Sequence, residues 1–195
     1  METLQEQRKK ASKPLLWIGI GSIIMAFAGM TSGYVLSRTT LKGRSEWIEF
    51  ELPAAFFYST IIILLSSVIF WWGKRTYAQG NPKVLTPTLA IVLLLGFVFL
   101  WLQAEAWREL WANDIFFSPS EGHPAHPSGS WVYAIFLFHA AHLLGGIIAL
   151  IRTLIRSLRG RYTVEDYDGV NLTAIYWHFV DLLWVYLYVF LSVMR

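Results

Sequence analysis

The long apolar stretches of this 195-residue sequence hold few ionisable side chains, and those few are of types that could do chemistry. His139 and His142 are three residues apart, and so are His178 and Asp181, so each pair would share one face of a helix. Glu105 adds a carboxylate near the end of another apolar stretch. Imidazole and carboxylate groups bind metals and transfer protons. The five residues are therefore the candidates for a functional site.

Three interpretations of these residues compete. A metal site would need further histidines or ligands on facing helices. A proton or ion relay, as in membrane pumps, would need acidic groups that continue to both surfaces. A structural network would need only hydrogen bonds between neighbouring helices, each stabilising by about 0.6–2 kcal/mol. The sequence favours the structural interpretation.

Other motifs carry less information. His123 and His126 lie among prolines and glycines with no third ligand nearby, which is typical of an ordinary solvated loop. The chain has no cysteine, and it has no nucleophile elbow, phosphate-binding glycine loop or HExxH motif. We therefore expect no catalytic centre, no cofactor site and no metal site in this chain.

The elements that must position the five candidates are membrane helices. Charged residues make up 15% of the sequence and hydrophobic residues 55%, whereas soluble domains carry about 25% charged residues. Five stretches reach the roughly 20 apolar residues that cross a bilayer as a helix, and none alternates as barrel strands do. We predict an all-α integral membrane protein, one membrane domain over 1–195, with a bundle of five transmembrane helices near 14–37, 52–73, 84–107, 130–153 and 171–193.

Lysine and arginine positions predict the orientation. With a cytoplasmic N-terminus, eleven of the sixteen basic residues fall inside and five outside. Under the positive-inside rule this distribution predicts a cytoplasmic N-terminus and an external C-terminus. The net charge of +3 forms no patch of the kind that binds nucleic acid.

Depth along the helices predicts which candidates meet. At about 1.5 Å per residue, His142 lies roughly 15–18 Å from the outer end of predicted helix four, and Asp181 about 15 Å from the inner end of helix five. We therefore expect Asp181 to bond to His142 or His139, with Glu105 nearer the outer surface. On predicted helix one, small residues form a face for helix packing, for lipid or for a partner: Ser22, Ala26, Gly29 and Gly33.

The last predicted helix resembles subunit three of the haem-copper cytochrome oxidases. It reads AIYWHFVDLLWVYLY at residues 174–188, and YWHFVD is its specific part. Predicted helix four is similar to the family pattern FHxxHxxxG, and helix three to LLG…LQxxE. The family commonly has seven helices, and this chain resembles the short bacterial form with five. Many members carry a membrane glutamate in the helix equivalent to helix one, where this chain reads GSIIMAFAGM, so a proton-antenna role at that position does not carry over.

The resemblance implies a non-redox subunit of a respiratory haem-copper terminal oxidase, in which oxygen reduction is coupled to proton translocation. Haem and copper would reside in partner subunits one and two. This chain would support subunit one, bind phospholipid and sustain proton uptake in the bacterial inner membrane, with a larger respiratory supercomplex as a further partner. The buried residues Glu105, His139, His142, His178 and Asp181 would then be an internal scaffold.

Two alternatives stay open. Within the family, an equivalent subunit of a quinol oxidase or a nitric-oxide reductase would have a similar sequence. From another class, a small secondary transporter could use the buried His/Asp cluster as its coupling site, although transporters often show inverted repeats and broken helices and this sequence shows neither. Co-purification with haem-bearing partners separates the two classes.

Overall fold

The computed structural model describes residues 4–41, 47, 50–113, 115, 126–163 and 166–194. Within these ranges the structure is helical, with no strand. The five long helices are long and apolar enough to cross a membrane, which confirms the predicted fold class. They are α1 (Leu4–Leu41), α2 (Ala54–Ala78), α3 (Leu85–Ala112), α4 (Pro127–Leu158) and α5 (Asp168–Met194), with a short 3₁₀ helix at Pro82–Val84 before α3.

The helices are longer than most of the predicted apolar spans. The predicted spans 14–37, 130–153 and 171–193 lie wholly inside α1, α4 and α5, whereas α2 and α3 begin one or two residues later than predicted. The difference arises because the prediction counted only the uncharged residues that cross hydrocarbon. Backbone hydrogen bonding continues into the polar flanks, so each helix ends beyond its apolar span.

Buried residues recur every seven positions on all five helices. A seven-residue repeat keeps one seam of each helix turned towards its neighbours and is typical of left-handed helix packing. These buried residues are Ile20, Phe27 and Tyr34 on α1, Phe56, Ile63, Phe70 and Tyr77 on α2, Leu85, Val92, Phe99 and Ala106 on α3, Gly129, Phe136, Leu143 and Leu150 on α4, and Val170, Trp177, Trp184 and Leu191 on α5.

Helices α2 to α5 form the core of the bundle, and α1 lies at its edge. In the described part of the chain α1 packs against α4 and α5 only, whereas α2 packs extensively against α3 and also contacts α5. At one end Lys13 of α1 lies 3.5 Å from Asp168 of α5, and at the other the Tyr34 hydroxyl donates to the Met194 carbonyl at 3.2 Å. These contacts show that α1 and α5 run parallel.

Glycines allow the closest helix contacts. A Cβ at Gly73 of α2 would lie 2.7 Å from Cβ of Thr88 on α3, far inside the 3.5–4.0 Å or so that non-bonded carbons prefer. Gly96 of α3 and Gly146 of α4 both face the indole of Trp177. The central helices therefore approach each other through positions where a larger side chain would not fit.

Candidate functional site

Helix α5 presents two tryptophans and an aspartate on the face that meets α2. Trp177, Asp181 and Trp184 follow one another at spacings of four and three residues and are all buried. The Trp177 indole N–H donates to Ser66 Oγ at 3.1 Å, and the Trp184 indole N–H donates to Thr60 Oγ1 at 3.0 Å. Asp181 thus lies between two tryptophans that are each bonded to α2.

His178 extends the same α2–α5 contact. Its Nδ1 lies 2.5 Å from the Ser67 hydroxyl of α2, and its ring packs against Phe70 with centroids 5.8 Å apart. His178 Nε2 is buried without a hydrogen-bond partner. We call the residues that make these bonds the α2–α5 seam: Thr60, Ser66, Ser67, Trp177, His178 and Trp184.

Among the residues that the structure describes, Asp181 is the buried carboxyl group. Only 2% of its surface is exposed, and neither carboxyl oxygen has a hydrogen-bond partner within bonding distance. Its neighbours one helical turn away on α5 are Trp177, His178 and Trp184, which are hydrogen-bonded to α2. Asp181 therefore belongs to the environment of the α2–α5 seam.

His139 lies in an aromatic pocket. It is 2% exposed, and its ring centroid lies 5.2 Å from Trp184, 6.3 Å from Phe99 and 6.5 Å from Phe27. Both ring nitrogens are buried without a hydrogen-bond partner. The surrounding rings come from three other helices, so His139 fills a junction between α4, α1, α3 and α5.

The predicted hydrogen bond from Asp181 to His142 or His139 is wrong. The His142 ring bonds to its own helix, with Nδ1 2.7 Å from the Phe138 carbonyl oxygen. The ring nitrogens of His139 and the carboxyl oxygens of Asp181 have no hydrogen-bond partner. Matched depth placed the residues at one level of the membrane but did not give their direction around the helix axis. The α4–α5 contact instead uses the Tyr176 hydroxyl, which donates to the His142 carbonyl at 3.0 Å.

Glu105 lies apart from the other candidates. Its carboxylate forms a salt bridge with Arg108 at 2.7 Å, and its side chain is 38% exposed. The neighbouring Gln103 of α3 instead faces α2, where its amide donates to Ser59 Oγ at 3.0 Å. Glu105 therefore does not extend a chain of buried polar groups.

The small residues of α1 differ in what they contact within the chain. A Cβ at Gly33 would lie 2.6 Å from the Trp131 ring of α4, whereas a Cβ at Gly29 would meet nothing within 4 Å. Ser22 is exposed and donates to the Ile18 carbonyl of its own helix, and Ala26 is partly buried. Gly33 thus serves packing within the chain, while Gly29 and Ser22 face outwards.

No cluster of three or more His, Cys, Asp or Glu that could hold a metal ion occurs among the residues the structure describes. His126 precedes α4 and accepts the Ser130 backbone N–H with its carbonyl at 3.1 Å, while His123 lies outside the described residues. The described hydroxyl, indole and imidazole groups join neighbouring helices by hydrogen bonds.

Comparison with known proteins gives the family. The sequence profile of cytochrome c oxidase subunit III matches residues 45–194. The chain belongs to the cytochrome c oxidase subunit III family. This confirms the resemblance that the YWHFVD segment indicated.

Curated relatives carry the same description. The chain is 36% identical over 111 residues to cytochrome c oxidase subunit 3 of Rattus norvegicus, 35% to that of Osphranter robustus and 34% to that of Hippopotamus amphibius. Each similarity covers 57% of this chain and 39% of the relative. The chain thus spans about two fifths of the length of the cytochrome c oxidase subunit 3 proteins it matches.

The subunit III match covers the whole α2–α5 core and begins after α1. The hydroxyl residues of α2 that bond to α5 in this subunit III chain were not predicted from the sequence. The signal was present in the sequence: hydroxyl pairs at 59–60 and 66–67 are one seven-residue repeat apart. Such a repeat places both pairs on one helix face.

Proposed function

We propose that this chain is the non-redox subunit three of a respiratory haem-copper terminal oxidase, a proton-translocating oxidoreductase. The observation that carries the proposal is the family match over residues 45–194, which includes every helix of the α2–α5 core. The described residues support it with an interior of tryptophan, histidine and hydroxyl contacts that joins helices. The haem and copper centres belong to partner subunits one and two in this proposal.

Within the complex, we propose that the chain packs on the flank of subunit one, binds phospholipid and sustains proton uptake during turnover. Its exposed side chains in the apolar spans are large and hydrophobic, such as Leu65, Trp101 and Leu182. Such side chains suit lipid or another membrane protein. The membrane in this proposal is the bacterial cell membrane, and the pathway is aerobic respiration.

Co-purification tests the assignment. The full chain, tagged at one terminus, is extracted in mild detergent and its partners are analysed by reduced-minus-oxidised absorbance and metal content. We expect haem and copper in constant ratio to the chain and an oxygen-reducing activity in the purified fraction. A tagged, unrelated multi-pass protein from the same membrane is the control. Recovery of the chain without haem-bearing partners, or with stoichiometric metal in the isolated chain, contradicts the proposal.

The same preparation identifies the electron donor. Oxygen consumption with reduced cytochrome c supports the cytochrome c oxidase assignment, whereas consumption only with quinol assigns the complex to the quinol oxidases. Reduction of nitric oxide in place of oxygen assigns it to the nitric-oxide reductases. A complex from which this chain is removed should start oxygen reduction at the normal rate and lose activity over successive turnovers.

A further inference from the structure

The outward face of α2 ends in two exposed tryptophans and a cation. Trp71 and Trp72 each expose half of their surface or slightly more, and Arg75 follows Trp71 one turn later, in the last turn of the helix. The guanidinium carbon of Arg75 lies 5.4 Å from the centroid of the Trp71 ring. An arginine over a ring face is held there by cation–π attraction, while its N–H donors stay available at the edge of the guanidinium plane. The end of α2 thus presents a positioned guanidinium beside an aromatic pair.

Among the described residues, no carboxylate forms an ion pair with Arg75. Helix α2 contains no aspartate or glutamate. The acidic residues of α3, Glu105 and Glu109, lie near the end of that helix that is distant from Arg75. At the same end of the bundle as Arg75, Asp168 of α5 pairs with Lys13 of α1 instead. The described part of the chain therefore leaves the charge of Arg75 without a counterion.

An apolar stripe leads from the two tryptophans along the same face of α2. Ile61, Leu64 and Val68 precede Trp71 at the helical spacings of three and four residues, and all three are exposed. The opposite face of the helix is occupied by its contacts with α3 and α5. At about 1.5 Å per residue, Leu64 lies roughly 16 Å from Arg75 along the helix axis, and one leaflet of hydrocarbon is roughly 15 Å deep. The stripe therefore has the length of one leaflet, with the cation at its polar edge.

We propose that this face of α2 binds an anionic phospholipid, with the lipid phosphate against the Arg75 guanidinium and an acyl chain along Val68 and Leu64. This site rests on the phospholipid binding proposed for the chain and gives it a place and a lipid class. A guanidinium offers two parallel N–H donors to a phosphate, and indole rings favour the depth of the headgroups. A headgroup without an amine is preferred, because the ammonium of a zwitterionic lipid offsets the phosphate charge that attracts Arg75.

The level of Arg75 along the stripe favours a lipid over a helix of another protein. A partner helix can cover the apolar side chains, but it neutralises Arg75 only if it also carries an acid at the level of Trp71 and Trp72. A phospholipid carries its anion at that level in every molecule, because the phosphate lies at the edge of the hydrocarbon. The combination of an unpaired cation, an aromatic pair and one leaflet of aliphatic surface is therefore matched by one molecule.

Photoaffinity labelling of the full chain, in the membrane complex with which it purifies and reconstituted in nanodiscs, tests the proposal. The probe is phosphatidylglycerol with a diazirine in one acyl chain, and its control is phosphatidylcholine with the same diazirine chain and no net charge. We expect the phosphatidylglycerol probe to label α2 between Ile61 and Trp72 in preference to the control probe. Unlabelled phosphatidylglycerol should compete for this labelling, whereas unlabelled phosphatidylcholine should not.

Matched variants separate Arg75 from the general surface charge. Arg75→Gln should weaken labelling of this segment about fivefold, the factor expected for one basic residue beside anionic lipid. Lys83→Gln removes an exposed cation from the 3₁₀ helix that follows α2 and should leave the labelling unchanged. Equal labelling by the two probes, equal effects of the two variants, or a stripe that neither probe labels because a protein covers it overturns the proposal. The comparison of the two probes on the wild type is decisive even where a variant does not assemble, and it stands whether or not haem accompanies the chain.

Discussion

Replacement of Gly146 by alanine tests whether Trp177 joins the central helices. The indole of Trp177 is fully buried, and its N–H is bonded to Ser66. A Cβ on Gly146 would lie 3.2 Å from Cε3 and 3.3 Å from Cζ3 of that indole, while on its other side a Cβ on Gly96 would lie 3.0 Å from Cη2. The ring is therefore flanked closely by the backbones of both α3 and α4.

The expected cost follows from these distances. Two ring contacts fall a few tenths of an ångström inside the roughly 3.5–4.0 Å optimum for non-bonded carbons, and overpacking of a filled core costs about 1–3 kcal/mol. Gly145→Ala is the matched control, because its Cβ would meet only the Tyr176 hydroxyl at an ordinary 3.4 Å. Both variants gain the same helix propensity, up to about 1 kcal/mol. We expect Gly146→Ala to be less stable than Gly145→Ala by about 1–2 kcal/mol.

The assay is equilibrium unfolding in mixed micelles of mild detergent and SDS, followed by tryptophan fluorescence and circular dichroism. In a Trp177→Phe background, which removes the outer edge of the indole, the cost of Gly146→Ala should fall by at least the 0.5 kcal/mol or so at which coupling becomes measurable. Equal stability of Gly146→Ala and Gly145→Ala, or an unchanged cost in the Trp177→Phe background, refutes the assigned role of Trp177.

Three further predictions concern other parts of the chain. Gly73→Ala should destabilise the chain by an amount near the upper end of the roughly 1–3 kcal/mol expected for overpacking, because its Cβ would lie 2.7 Å from the branched Cβ of Thr88. The same unfolding assay measures this loss, and a free energy of unfolding equal to that of the wild type contradicts the prediction. Glu105→Gln should change stability by less than about 1 kcal/mol, since exposed ion pairs contribute little, and a larger loss would give Glu105 a structural role. For orientation, an impermeant thiol reagent should label Ser120→Cys in intact cells and Thr163→Cys only after the membrane is opened, and the reverse pattern would invert the predicted topology.

The helices were predictable because lipid imposes a simple rule on the sequence. Every apolar stretch that crosses the bilayer must satisfy its backbone hydrogen bonds internally, so length and charge-free composition suffice to find α1 to α5. The buried residues of the site were predictable for the same reason. His139 and Asp181 stand out as polar groups within such stretches, and both are 2% exposed.

The partners of those residues could not be read from depth alone. Asp181 and His142 were predicted to lie at similar depth, yet the His142 ring bonds to the backbone of its own helix and the Asp181 carboxyl oxygens have no hydrogen-bond partner. Which faces meet depends on how each helix is rotated, and small steric features set that rotation. The contact of Trp177 with Gly96 and Gly146 is one of them, and it involves residues from three helices that are far apart in the sequence.

Because α1 lies at the edge of the bundle, it has the least to lose when it separates from the other helices. Only 17% of the apolar window of α1 is buried, against 33–39% in the other helices. Membrane helices can separate from a bundle while remaining inserted, and proteins open first where the fewest contacts are lost. Release of α1 breaks the contacts around Phe27 and Tyr34 but leaves the α2–α5 seam intact. We therefore expect α1 to separate from the bundle before the α2–α5 core opens.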